Sequence, residues 1–180
     1  MKKTKLVKLA LLIFVAYLLP HSIRAQDQDA EKLISESDKA KTEFIKTDPS
    51  MATLFESSYG YVIFPKIGKG GFIVGGSGGD GILYEKGKSI GVVKTGQVTI
   101  GAQIGGQAYR EVIFFENQDA LGRMKASKME FSSQLSAVAV KSGVSKNAKY
   151  TDGVAVFTQD LGGLMAEATV GGQKFKYKAF

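Results

Sequence analysis

The chain has 180 residues, no cysteine, one histidine and a formal net charge of +7. The missing cysteines exclude disulfides, thiol catalysis and a lipid-modified thiol. The one histidine, His21, lies in an N-terminal leader, so the remainder lacks the residues for Ser-His-Asp or Cys-His catalysis and for ordinary zinc or copper sites.

The leader has three parts. Lys2, Lys3, Lys5 and Lys8 make a basic start, Leu9 to Leu19 is an unbroken apolar stretch, and Pro20 precedes Ile23-Arg-Ala25. This is the layout of a secretory signal peptide. A bilayer span needs about 20 apolar residues, and this stretch is far shorter. The expectation is cleavage near Ala25 and a periplasmic or secreted product, residues 26–180, forming one domain. Without the leader's five basic residues, 19 basic residues face 17 acidic ones, a net of +2. That balance gives no support to a nucleic-acid binder.

Residues 27–47 read as one amphipathic helix, within an N-terminal helical segment over 26–58. Ala30, Leu33, Ile34, Ser37, Ala40, Phe44 and Ile45 recur at spacings of three and four. Such a stripe serves core packing, or a membrane-surface helix whose polar face would favour Lys and Arg. Here the polar face mixes acids and bases, which favours packing. Asp48-Pro49 ends the helix, because the residue before proline avoids the helical region. A short turn follows at Ser50 to Phe55, with Ser50 expected as its cap.

From residue 59 to 180 the chain reads as a glycine-rich sheet core. All 22 glycines lie at or after Gly60. Apolar runs at Tyr61–Phe64, Phe72–Val74, Gly81–Tyr84, Ser89–Val93, Val98–Ile104 and Val112–Phe115 predict strands. Glu85-Lys-Gly-Lys88 is a charged turn. A helix is expected from Asn117, a capping residue, to about Phe131. Strands resume at Gln134–Val140, Gly153–Gln159, Gly163–Val170 and Lys174–Lys178. The fold class is therefore α+β, with a strongly bent, mainly antiparallel sheet, expected as a partly closed barrel. Glycine allows sharp bends and close backbone approach, either to tighten the sheet or to cradle something bulky.

Catalytic motifs fail on inspection. Gly76-Ser-Gly-Gly-Asp-Gly81 has dinucleotide-loop spacing but continues as strand, with no helix to hold a pyrophosphate. Gly81 to Ser89 has one residue too many for a P-loop. No serine has lysine three residues later. Asp80, Glu85, Glu111 and Asp152 could supply a carboxylate pair, but read as solvated turn residues or partners of lysines. The expectation is a protein that is not an enzyme and holds no metal or cofactor. A small outer-membrane barrel is an alternative, since the chain ends in Phe180. Lys176 and Lys178 on the same strand face oppose it.

One ordered set of segments carries a family resemblance: the N-terminal helix, Tyr59-Gly-Tyr-Val-Ile-Phe-Pro65, Ile67-Gly-Lys-Gly-Gly-Phe-Ile-Val-Gly-Gly76, Gly78-Gly-Asp-Gly81, Ile100-Gly-Ala-Gln-Ile-Gly-Gly106, Val112-Ile-Phe-Phe-Glu-Asn117 and Gly162-Gly-Leu164. Over about Glu31 to Tyr177 the chain resembles the SYLF domain, the lipid-binding module of the Ysc84 type. The resemblance implies weak binding to an anionic phospholipid or membrane surface. Candidate headgroup contacts are Lys66, Lys69, Lys86, Lys88 and Lys94, expected on turns around the glycine-rich strands, and Lys174, Lys176 and Lys178, which share one face of the last strand. The alternative is a structural or protein-interaction domain of the cell envelope without a lipid ligand.

Overall fold

The computed structural model describes residues 28–71, 74–100, 107–132, 135–161 and 170–180. The chain divides into two compact units, Met1–Lys32 and Leu33–Phe180. Of the first, residues 28–32 are described, and they are helical. The second holds the sheet and its covering elements.

Helix α1 spans 28–47 and α2 spans Met51–Ser57. Seven strands follow: β1 Gly60–Gly71, β2 Val74–Glu85, β3 Lys88–Ile100, β4 Gln107–Phe115, β5 Val138–Ala139, β6 Val154–Asp160 and β7 Lys174–Ala179. Helix α3, Gln118–Lys125, and a 3-10 turn, Val144–Asn147, lie between them. The strand order is β5-β6-β4-β1-β2-β3-β7, antiparallel throughout except for the parallel β5–β6 pair. The fold is α+β with a mixed sheet. Among the described residues its outer strands are β5 and β7, and they do not pair with each other.

Over Tyr61–Phe64, Ile82–Tyr84 and Val112–Phe115 the sheet is buried on both faces, which explains why those apolar runs are nearly continuous. In β1, Tyr61 and Ile63 join one core while Val62 and Phe64 join the other. The first core holds Phe44, Met51 and Phe55 from the helices with Tyr61, Tyr84, Phe114 and Phe157 from the sheet. The amphipathic stripe of α1 is thus core surface: Ala40 and Phe44 are 1% and 0% exposed. The second core gathers Leu121 and Met124 of α3, Met129 and Phe131 beyond it, and Phe64, Leu83, Ile113 and Phe175.

The register shifts between Phe64 and Ile67, at Pro65, which has no N–H for a ladder bond. The extra residue reverses the alternation, so Phe64 and Ile67 enter the same core. A Cβ on Gly81 would meet Ile63 O at 2.6 Å and Phe64 Cδ1 at 2.6 Å. The glycine therefore makes room for β1 and its aromatic ring, not for a ligand. At the β2–β3 hairpin, Lys86 (φ 49°) and Gly87 (φ 78°) both take left-handed backbone, as a two-residue turn requires.

Several expectations need correction. β3 runs unbroken through Lys94 to Ile100, where two strands were expected. α3 stops at Lys125, because Ser127 adopts φ 53°, and the chain then extends along the sheet. Of the strand expected at Gln134–Val140, only Val138–Ala139 is strand among the described residues. Ser50 does not cap α2; its hydroxyl instead donates to Asp48 Oδ1. Phe72–Ile73, residues 101–106, 133–134 and 162–169 lie outside the described residues, and with them most of the expected strand at Phe72–Val74, the last four residues of that at Val98–Ile104 and all but Val170 of that at Gly163–Val170.

Candidate functional site

The β3–β7 ladder decides where the lysines stand. Lys94 lies directly opposite Lys176, Val92 opposite Lys178, and Gly96 opposite Lys174. Alternation along a strand therefore puts Lys94, Lys174, Lys176 and Lys178 on one face of two paired strands. All four are exposed. On the β2 side, Lys94 faces Asp80 and pairs with it at 3.2 Å. Lys174 pairs with Glu130 at 3.6 Å. Lys176 and Lys178 have no ion pair among the described residues.

Beside this group the sheet is bare. Gly68, Gly78 and Gly96 are in register across β1, β2 and β3, in line with Lys174. All three are exposed, and a Cβ on Gly68 or Gly96 would meet nothing within 4 Å. The lysines thus flank a flat strip of backbone.

The other predicted lysines do not join the group. Lys86 and Lys88 sit at the β2–β3 hairpin, about 20 Å along β3 from Lys94 at the usual strand rise. Lys86 Nζ lies 5.4 Å from the ring centroid of Tyr59. Lys66 occupies the β1 bulge, and Lys69 stands within β1 opposite Ser77. Only Lys86 is in a turn; the expectation that Lys66, Lys69, Lys88 and Lys94 lie on turns fails because β1 and β3 are long, continuous strands.

The carboxylates separate as well. Glu85 pairs with Lys125 at 2.8 Å, and that bond holds its pKa below the ordinary value. Asp152 is exposed in a turn at φ 52°. Glu111 corrects the sequence reading: it is 0% exposed, inside β4, and not in a solvated turn. Gln173 Nε2 donates to Glu111 Oε2 at 3.2 Å and to Tyr109 Oη at 3.3 Å. Burial, and next the charge of Glu111, push the Tyr109 phenol above its ordinary range. Ser77 Oγ and Gln97 Oε1 lie 3.2 Å apart nearby, and Gln97 Nε2 donates to Gly171 O. This polar interior sits on the inner face of the glycine-rich strands. Period-two alternation of Tyr109, Glu111, Ile113 and Phe115 was the signal that Glu111 faces inward.

A cleft of about 390 Å³ lies between α3 and the extended segment after it. Arg123, Lys128, Met129, Phe131, Leu135 and Val154 line it, together with Glu130 and Asp152. Of this site sequence reading singled out only Asp152, as a solvated turn residue, because the walls come from α3, residues 128–132 and 135, and the turn before β6.

No family model matches the chain. It is similar to beta cell expansion factor A of Aeromonas veronii, 28% identical over 147 residues, which covers 77% of this chain and 53% of that protein. The chain thus spans about half the length of the curated relative it matches.

Proposed function

We propose that the protein is a non-enzymatic domain of the cell envelope that binds anionic membrane surfaces weakly through the outer face of β3 and β7. The observation that carries this reading is the direct Lys94–Lys176 pairing, with Lys174 and Lys178 on the same face. Like charges opposite each other in a ladder are destabilising. Asp80 and Glu130 offset two of the four charges, and Lys176 and Lys178 remain for a partner. The flat glycine strip beside them lets headgroups approach the backbone closely. Each lysine near an anionic surface contributes on the order of 1 kcal/mol. Two such lysines, helped by partly neutralised neighbours, give binding that is weak and sensitive to salt.

Membership of the SYLF type is part of this proposal, as is the partly closed barrel geometry, with the segment after α3 lying along the open side of the bent sheet. The similarity to beta cell expansion factor A supports a domain that also occurs within a longer protein. Signal-peptide cleavage near Ala25 and a periplasmic or secreted location belong to the same reading, as does the absence of a cofactor.

Co-sedimentation with phosphatidylcholine vesicles, with and without phosphatidylglycerol, tests it at two salt concentrations. The expected result is binding to anionic vesicles only, weakened by salt. Lys176→Gln with Lys178→Gln should reduce it by roughly 30-fold, the equivalent of about 2 kcal/mol. No binding of the unaltered protein at low salt would sink the lysine face and favour an envelope domain with a protein partner.

A further inference from the structure

We infer that the cleft beside α3 binds a single-chain anionic amphiphile, with its headgroup at Arg123 and Lys128 and its chain over Met129, Phe131, Leu135 and Val154. The cleft joins two kinds of surface that such a ligand needs. Apolar side chains close its base with little of each open to it, Met129, Phe131 and Val154 being 6%, 4% and 3% exposed, and the half-buried Leu135 stands beside them. Its rim is cationic. Arg123 Nη2 donates to the Asp152 carbonyl, which holds the guanidinium in place. Its other N–H groups meet no acceptor, and Lys128 no carboxylate, among the described residues. Of the two acids lining the cleft, Glu130 is paired with Lys174. Asp152 alone opposes the two cations, so the rim keeps a net charge of +1.

The backbone supports a fixed site. Ser127 and Asp152 have φ of 53° and 52°, and Gly153 has 75°, so both turns at the mouth are held in left-handed geometry. Lys128 N donates to Arg123 O at 3.0 Å, which ties the two cationic residues to one turn. A guanidinium and an ammonium beside an apolar floor recognise a carboxylate or phosphate monoester on a hydrocarbon chain. The volume, about 390 Å³, is at the small end of ligand pockets, roughly 300–1,000 Å³. It suits one chain of medium length and not a two-chain phospholipid. The site meets the lysine face at the Glu130–Lys174 ion pair but uses neither Lys176 nor Lys178.

Titration calorimetry of the full chain with dodecanoate, dodecyl phosphate and dodecanol, all below micelle formation, tests the inference. Saturable binding of dodecanoate or dodecyl phosphate, tighter than that of dodecanol, is expected; the tighter of the two identifies the headgroup. Arg123→Gln with Lys128→Gln should weaken anion binding about tenfold or more. Lys128→Glu, a single exposed change, should do the same if the double variant folds poorly. Leu135→Trp should obstruct the floor and weaken all three ligands. Lys176→Gln with Lys178→Gln should leave dodecanoate binding unchanged, which separates this site from the membrane face. Absence of binding, equal binding of dodecanol, or unchanged affinity in folded Lys128→Glu would each overturn the inference.

Discussion

Asp48 shows how much one side chain can organise. It is 1% exposed and accepts from Ser50 N at 3.1 Å, Ser50 Oγ at 2.5 Å, Gly143 N at 3.1 Å and Ser145 N at 2.8 Å. Burial alone would raise its pKa, but these bonds outweigh burial and hold the carboxyl well below the ordinary carboxylate range. A lowered pKa in the fold means stability that is present above the unfolded value and lost as pH falls through the folded one. Asp48→Asn should lower stability at neutral pH by about 1–3 kcal/mol. The gap to the unaltered protein should narrow in acid, because asparagine does not titrate. Urea unfolding at neutral and acidic pH measures both effects. The sequence marked Asp48 only as a helix stop. Its partners are 95 and 97 residues away, a pairing that no local pattern carries.

Glycine contrasts at the same scale. Gly81 is filled by β1, whereas Gly96 faces open space. Gly81→Ala should cost about 1–3 kcal/mol through overpacking, and Gly96→Ala should stay within about 0.5 kcal/mol. Melting temperatures of the two variants check this. The count of glycines suggested a cradle, but only the register shows which of them touch a neighbour.

At the scale of elements, local chemistry was legible where it is strong. Asn117 caps α3 as its sequence implied, its Oδ1 accepting from Ala120 N at 3.0 Å. Asn117→Ala should cost about 1 kcal/mol, read by chemical denaturation with α3 otherwise retained. The amphipathic spacing of α1 and the alternation of Lys174–Lys178 were equally readable, because each pattern matches one period. Element ends were less so. α3 ends early through backbone geometry at Ser127, and β5 is short because only Val138 and Ala139 pair with β6. Propensity does not encode such limits; pairing partners set them.

At the scale of the molecule, charge has a place but little magnitude. Residues 26–180 carry a net charge of only +2, so once the leader is cleaved as proposed there is no large overall field and electrostatic attraction must come from a local cluster. Four lysines on the β3–β7 face form one, and its contribution should fall steeply between low and physiological salt as the screening length shortens to about 8 Å. Vesicle binding by the unaltered protein and by the Lys176→Gln, Lys178→Gln variant, measured across that range, should converge as salt rises.

The residue sequence by itself determined the α+β class, the helix that packs, the hairpin turn and the shared face of Lys174, Lys176 and Lys178. These follow from period, capping and turn chemistry, all local properties. Only the tertiary structure decided that β3 pairs with β7, and so which lysines meet. It also decided that Glu111 is interior and that Arg123 and Lys128 overlook an apolar floor. The reason is physical: cross-strand neighbours and cleft walls come from segments distant in the chain, and packing alone brings them together.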